Sequence, residues 1–485
     1  MGESHVIGLL LGTEEDWPSA FEALFAALDP EITYAGNRHT FDVQRITTEP
    51  FRLRAVPRYS LVIDRLAHWY WVPREWLKKV ALMDDVYLMN NPFTFQAMEK
   101  HAAYCAMIRL GLNIPETWMI PHKNPPENER FPYTAANYNL PFRLEDVAKE
   151  VGYPLYMKPF AGGGWVGVTR VADDEELNRS YDESGQRLMH LQAAVENFDS
   201  FTRSINVGAE TLVTRYEPSK PYHDRYQVDH AFLSPELGEE VETISKVVSA
   251  FFRWDYNSCE TIIKDGRVSP VDFANACPET SMISLHYYFP WAIKALVKWS
   301  MFCIVTGRKL PVDQNTADYF AIADSEELGY FGKLAAYREL ADSHFQMDAY
   351  EEFCSEHLAR VDEVMVDYIE SDTFDRLLVE TVKAAFPSSE HDTFIAHYRG
   401  MLAAWAKDQR AAADPSRSFL KVPPPTVPLL PVRRPPWHPT RLAGLTSSDR
   451  YAASRSVGAP KASGSRRVQL RFCSPARLTV LEGSR

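Results

Sequence analysis

Cysteine is scarce in this sequence: six residues in 485, with no Cys-x-x-Cys pair among them. That argues against a disulfide framework and the commoner zinc motifs, and points to reduced thiols in a cytoplasmic protein. Long apolar runs are missing too. No stretch approaches the roughly 18 residues that a membrane span requires, so no membrane partner is expected. The apolar segment 6–11 is too short for a signal peptide and runs straight into Glu14, Glu15 and Asp16. Gly2 lacks the Ser or Thr that a myristoylation motif would place at position six, which is Val6. A Gly-x-Ser-x-Gly elbow is absent, which speaks against an α/β-hydrolase. His391 and His397 fall on different faces of a helix, a poor zinc pair. For His286 and Cys277, packing is the better reading.

Positive charge is in deficit over the chain, 52 Lys and Arg against 65 Asp and Glu, but not at its end. From Ser416 onward there are 13 basic and 2 acidic residues, a surplus of 11 that leaves −24 of the net −13 on the rest. This tail opens on a proline-rich run and continues into Ser, Arg and Gly. It has no apolar period and is expected to stay unstructured. A nucleic-acid arm is the less favoured reading. The acidic body, at ordinary globular composition, should carry the chemistry.

Within that body, apolar runs at 5–11, 60–64 and 86–89 alternate with helical spacing at 17–28 and 74–83. This is the pattern of a small parallel α/β layer. Asn91-Pro92 breaks the chain before a helical stretch, 95–110, that Gly111 closes. Residues 121–141 read as a long loop, and 326–407 as mostly amphipathic helix. No internal repeat is found.

The most informative segment is Lys158-Pro-Phe-Ala-Gly162-Gly163-Gly164-Trp165-Val-Gly167. Its glycines match Gly-x-Gly-x-x-Gly, and context selects among the hosts of that pattern. A dinucleotide-binding loop leads into a helix, whereas residues 165–171 read as a strand. A Walker A loop ends in Gly-Lys-Ser/Thr, which is absent. Protein kinases place the lysine on the strand after the loop, while Lys158 precedes it. The second cluster is Glu260, then Asp265-Gly266, then Asp272-Phe-Ala-Asn275. Asp265-Gly266 between β-rich runs predicts a hairpin, which brings Glu260 opposite Asp272 with Asn275 just beyond. Two carboxylates and an amide oxygen suit a hard cation such as Mg²⁺.

Strand with lysine, glycine hairpin, return strand and paired acids: that order resembles the ATP-grasp superfamily. The resemblance covers most of residues 1 to 305, and it implies an α/β fold divided as follows. An N-terminal Rossmann-like domain (1–90) precedes a small lobe with the glycine loop (91–195) and a large lobe with the metal site (196–310). A helical region (320–410) and a basic tail (411–485) complete the chain. It further implies that Lys100 and Lys158 hold ATP phosphates and that Gly162, Gly163 and Gly164 fold over them. Gln192 and the backbone of Ala194 and Val195 would form the adenine hinge, with Asp199, or else Glu196, on the ribose. Glu260, Asp272 and Asn275 would bind Mg²⁺, with Mn²⁺ as an alternative ion. Arg203 and Arg225 would meet the γ-phosphate or an acyl phosphate. Asp-x-x-Asn carries one residue more than the family's usual Glu-x-Asn, which bears on Asn275. The implied activity is ATP-dependent ligation of a small-molecule carboxylate to an amine or thiol. The rival is an ATP-binding regulatory protein without turnover. A homo-oligomer is left open.

Overall fold

The computed structural model describes residues 2–413 apart from 48, 95–98, 126–129, 131–141 and 315. The basic tail from 414 onward therefore lies outside the described residues, as does most of the 121–141 loop. Three sheets organise the rest.

In the first sheet, β1 (Gly2–Leu10), β3 (Asn37–Arg45), β4 (Leu61–Asp64) and β5 (Tyr87–Met89) run parallel in the order β3-β1-β4-β5, with β2 (Ile32–Tyr34) antiparallel at the edge. Ile7, Leu9 and Leu61 to Ile63 are buried, as expected for strands covered on both faces. Helix α1 (Asp16–Leu28) lays Trp17, Phe21, Leu24 and Phe25 into the core. Each such side chain contributes roughly 1.5–3 kcal/mol relative to its exposed state. Helix α2 (Trp71–Met83) links β4 to β5.

After α3 (Lys100–Arg109), the second sheet is antiparallel, in the order β6-β9-β7-β8: β6 (Thr117–Ile120), β7 (Leu155–Pro159), β8 (Thr169–Val171) and β9 (Met189–Ala193). It has its own core with α4 (Leu144–Val151) and α5 (Asp174–Ser184), built from Ile120, Leu144, Leu155, Met157, Leu177 and Leu191 among others. Asp173 caps α5 by accepting from the Glu175 and Glu176 N–H groups. This lobe therefore packs as a unit separate from the main core.

The third sheet is antiparallel, in the order β12-β11-β10-β13-β14: β10 (Ser200–Val207), β11 (Glu210–Tyr216), β12 (Tyr226–Gln227), β13 (Tyr256–Lys264) and β14 (Arg267–Ala276). Between β12 and β13 runs α6 (Pro235–Phe252), with Ser234 as its cap. The short α7 (Met282–Leu285) and the buried α8 (Phe289–Val305) follow β14. Gly208, at φ +55°, turns β10 into β11 with the Trp299 ring of α8 lying where a Cβ would sit. The expected helical region is α9 (Thr316–Asp324), α10 (Tyr330–Phe345), α11 (Met347–His357), α12 (Val361–Ile369), α13 (Asp372–Ala385) and α14 (His391–Ala413). Its buried tyrosines tie it to the rest: Tyr337 donates to Leu110 O at 3.0 Å, Tyr350 to Glu210 Oε1 at 2.6 Å and Tyr398 to Ile283 O at 2.9 Å. These helices brace the large lobe.

Two differences from the sequence expectation bear on the site. The helix expected from residue 95 is described from Lys100, so this lysine sits in its first turn. The return strand expected from residue 165 starts at Thr169, because Trp165 and Gly167 both adopt positive φ (65° and 75°) and turn the chain.

Candidate functional site

The site forms where the second and third sheets meet. Lys158 lies on β7, opposite His190 of β9. Its Nζ donates to Gln192 Oε1 at 2.6 Å and crosses to the Val271 carbonyl of β14 at 3.3 Å. Gln192 is held in turn by its Nε2 on Thr117 Oγ1, 2.9 Å away. Lys100 comes from α3, where its Nζ lies 3.1 Å from Gly162 O in the glycine loop and 3.1 Å from Asp272 Oδ1. Two lysines from different elements thus approach one stretch of β14.

The hairpin follows the expectation. Asp265 and Gly266 both take positive φ (52° and 73°), the turn that an Asp-Gly pair favours. The register sets Glu260 opposite Asp272. Ser258 pairs with Asn275, so two steps along β13 match three along β14. A β-bulge absorbs the extra residue of Asp-x-x-Asn. Since Ser258 and Glu260 share a face of β13, the bulge returns Asn275 to the face that Asp272 occupies. Phe273 and Ala274 are buried between them. Asn275 Nδ2 donates to Ser258 Oγ at 2.6 Å, and its Oδ1 has no partner among the described residues.

Arg203 of β10 completes the group. Its Nη1 is 3.0 Å from Glu260 Oε1 and its Nη2 is 3.2 Å from Ser258 Oγ, while its Nε is buried without a partner. Three cations (Lys100, Lys158, Arg203) therefore face two carboxylates (Glu260, Asp272) in the cleft between the second and third sheets, all five buried or half-buried. Burial pushes the Lys158 ammonium down to about 8, with Asp272 opposing the shift and Lys100 adding to it. Burial pushes the Glu260 carboxyl up, against the pull of Arg203. A surplus of fixed positive charge beside oxygen donors suits a polyanion carrying a hard divalent ion.

The glycine loop is open. At Gly162 (φ +112°) and Gly164 (φ +66°) nothing lies within 4 Å of where a Cβ would sit, and Trp165 and Val166 beside them are exposed. Tyr104, also on α3, donates to Val271 O at 2.9 Å and packs edge-on against His190 and Phe273. Burial first, then His101 and the two lysines, pushes His190 down to about 4, so it adds no charge behind Lys158.

Other expected residues sit differently. Arg225 belongs to the turn before β12, where its Nε donates to Lys220 O at 3.1 Å; none of its described hydrogen bonds reaches Arg203, Glu260 or Asp272. Asp199 is exposed and accepts from the Asp265 N–H at 2.8 Å, capping the β13–β14 turn. Glu196, its rival, pairs with Arg170. At the hinge, the Ala194 N–H donates to Pro154 O at 3.1 Å, whereas the Val195 N–H has no partner among the described residues. Sequence reasoning missed Ser258, which strand alternation from Glu260 would have placed on the same face. Gly163 lies in the loop between Gly162 and Gly164, half-buried.

The first sheet abuts the same cleft. The guanidinium of Arg65, just past β4, donates to the Cys277 carbonyl and pairs with Glu14 at 3.0 Å. Asp16 accepts from Ser281 Oγ at 2.8 Å and from the Met282 N–H at 2.6 Å. The carboxyl ends of β1 and β4 thus face the segment after Asn275, the usual ligand side of a parallel sheet. Burial raises the Glu279 carboxyl in this segment to about 7, with Arg65 opposing.

The lysine strand, the glycine loop and the acid-bearing hairpin thus occur in the order expected from the sequence, within a mixed α/β fold. No protein-family model matches the chain, and no curated protein matches it. Solved structures that it resembles include a RimK domain ATP-grasp protein from Sphaerobacter thermophilus, at 14% identity over 57% of this chain and 93% of that one, TM-score 0.40. The D-alanine–D-alanine ligase of Bacillus anthracis complexed with ATP shares 14% identity over 72% of this chain and 99% of its own, TM-score 0.41. The VanG D-Ala:D-Ser ligase of Enterococcus faecalis shares 13% over 61% and 95%, TM-score 0.41. Among the described residues no helix is long and apolar enough to cross a membrane.

Proposed function

We propose that this protein is an ATP-grasp ligase. It would activate a small-molecule carboxylate as an acyl phosphate, converting ATP to ADP, for attack by an amine or thiol. The observation that carries this reading is the convergence of Lys100, Lys158 and Arg203 on Glu260 and Asp272 beside an open glycine loop. The donor set fits Mg²⁺, or Mn²⁺: two carboxylates and the uncommitted Asn275 Oδ1, all hard oxygen ligands. Once bound, such an ion supplies neutralisation of phosphate charge.

The chain's own groups do the positioning. Lys100 is paired with Asp272 and exchanges that partner for a phosphate. Lys158, anchored by Gln192, presents its ammonium from the other side. Arg203 holds Glu260 in place and orients it. The glycine loop covers the reacting groups and excludes water that would hydrolyse an acyl phosphate.

The test is ADP release from ATP and Mg²⁺ with pooled carboxylates and amines, comparing the native protein with Asp272→Ala and Lys158→Ala. Substrate-stimulated ADP should fall by about 10²–10³ in each variant. AMP and pyrophosphate as products would sink the acyl-phosphate route. ATP binding by calorimetry, with no turnover on any pool, would favour the regulatory reading.

A further inference from the structure

A second set of ligand-type side chains lies at the far end of the first sheet. Glu3 and His5 are two apart on β1 and so share a face, and Glu3 is in register with His39 on β3. Their polar atoms converge. His5 Nε2 and His39 Nδ1 are 2.9 Å apart, and Glu3 Oε2 is 3.8 Å from the first and 3.7 Å from the second. The nearest point equidistant from three atoms so spaced lies in their plane about 2.0 Å from each, the length of a Zn–N or Zn–O bond, and a modest rearrangement of the side chains makes the group pyramidal.

We propose that Glu3, His5 and His39 bind a divalent transition-metal ion, Zn²⁺ in the first instance. Two imidazoles and a carboxylate are borderline donors, suited to zinc and its neighbours rather than to Mg²⁺. The surroundings supply the outer contacts that such ligands ordinarily have. Asn37 Nδ2 donates to the other carboxylate oxygen of Glu3 at 2.9 Å, and Ser60 Oγ lies 3.2 Å from His5 Nδ1. With Ser60 accepting, the His5 proton sits on Nδ1 and frees Nε2 for the metal. His39 is buried, His5 nearly so, and Glu3 is half exposed, which leaves an entry path and a fourth position for water. Without metal, one imidazole donates to the other across the 2.9 Å contact. Binding moves the His39 proton from Nδ1 to Nε2, so both imidazoles ligate as neutral rings and no net proton is released.

The site stands apart from the phosphate cleft. Glu3 is seven residues before Leu10, roughly 23 Å at strand rise, and the cleft lies beyond the carboxyl end of β1. The proposal therefore does not depend on the ligase reading. Zinc would staple β1 to β3 near the start of the sheet.

The experiment is calorimetric titration of tag-free, chelator-treated full-length protein with Zn²⁺, repeated with Co²⁺ to read a tetrahedral absorption band. One high-affinity site is expected. It should persist in Glu260→Gln and Asp272→Ala, disappear in His39→Gln and His5→Gln, and weaken about 10–100-fold in Ser60→Ala. Glu3→Gln, at the surface, guards against loss through misfolding, since it should weaken binding with an unchanged circular dichroism spectrum. No high-affinity Zn²⁺ site, a site untouched by His39→Gln, or one lost with Asp272→Ala would each overturn the proposal.

Discussion

Replacing Asp64 by asparagine isolates the cost of a charge buried at the cleft. Asp64 ends β4 and is 1% exposed. Its Oδ1 accepts from the Leu66 and Ala67 N–H groups, both at 2.9 Å, and fixes the turn that carries Arg65. Its Oδ2 is buried without a partner. Burial raises the carboxyl from 3.8 to about 6, against those N–H groups and Arg65. At 1.36 kcal/mol per unit, ionisation costs the folded state about 3 kcal/mol. The native state therefore holds the proton to higher pH than the unfolded chain does. This contribution is least unfavourable below pH 3.8, worsens as pH climbs to about 6 and is constant above. Asparagine keeps the accepting oxygen and carries no charge. Urea denaturation of both proteins between pH 5 and pH 8 should show the gap between Asp64→Asn and native widening, in favour of the variant, by about 1.4 kcal/mol. A gap that stays flat or narrows would refute the reasoning.

Other expectations follow from contacts in the same region. Arg203→Ala leaves Glu260 without its 3.0 Å partner, so stability should drop by about 3 kcal/mol in urea titrations and more Mg²⁺ should be needed for ATP binding. An unchanged Mg²⁺ dependence would count against the role given to Glu260. With Lys158 at about 8, nucleotide affinity should be level below that pH and fall as the ammonium deprotonates, by up to about tenfold per unit. Calorimetry from pH 7 to 9 reads this, and Lys158→Arg should flatten the profile. Gly208→Ala places a methyl 2.0 Å from the Trp299 ring at φ +55°, so thermal unfolding should show a loss of about 2–4 kcal/mol.

Much of this was legible because local chemistry and tertiary placement agree. The period of Phe21, Leu24, Phe25 and Leu28 gave α1, and Asp265-Gly266 gave the hairpin and with it the facing acids. Other parts were hidden. Strand β3 is read poorly because its alternation is confined to Phe41 and Val43 between Thr40, Asp42 and Gln44, while Asn37, Arg38 and His39 ahead of them are all polar. The convergence of Glu3, His5 and His39 depends on a strand pairing 36 residues apart in register, which no local window contains. Asp199 matched by spacing and Arg225 by its place between hinge and hairpin, and position in the sequence cannot tell a residue that caps a turn from one that faces a ligand. Lys100 was the opposite case: one charge on a helix, distinguished only by what it meets across the cleft.

The bulge in β14 changes what should count as a motif here. A search that compares sequences column by column treats the residue inserted between Asp272 and Asn275 as damage to the signature. The folded sheet treats it as a fold in the ribbon, taken up where Phe273 and Ala274 turn inward. The quantity preserved is therefore side, not count. Chains with two, three or four residues between these positions remain candidates for the same arrangement whenever the surplus can bulge, and relatives are better sought by strand face than by spacing.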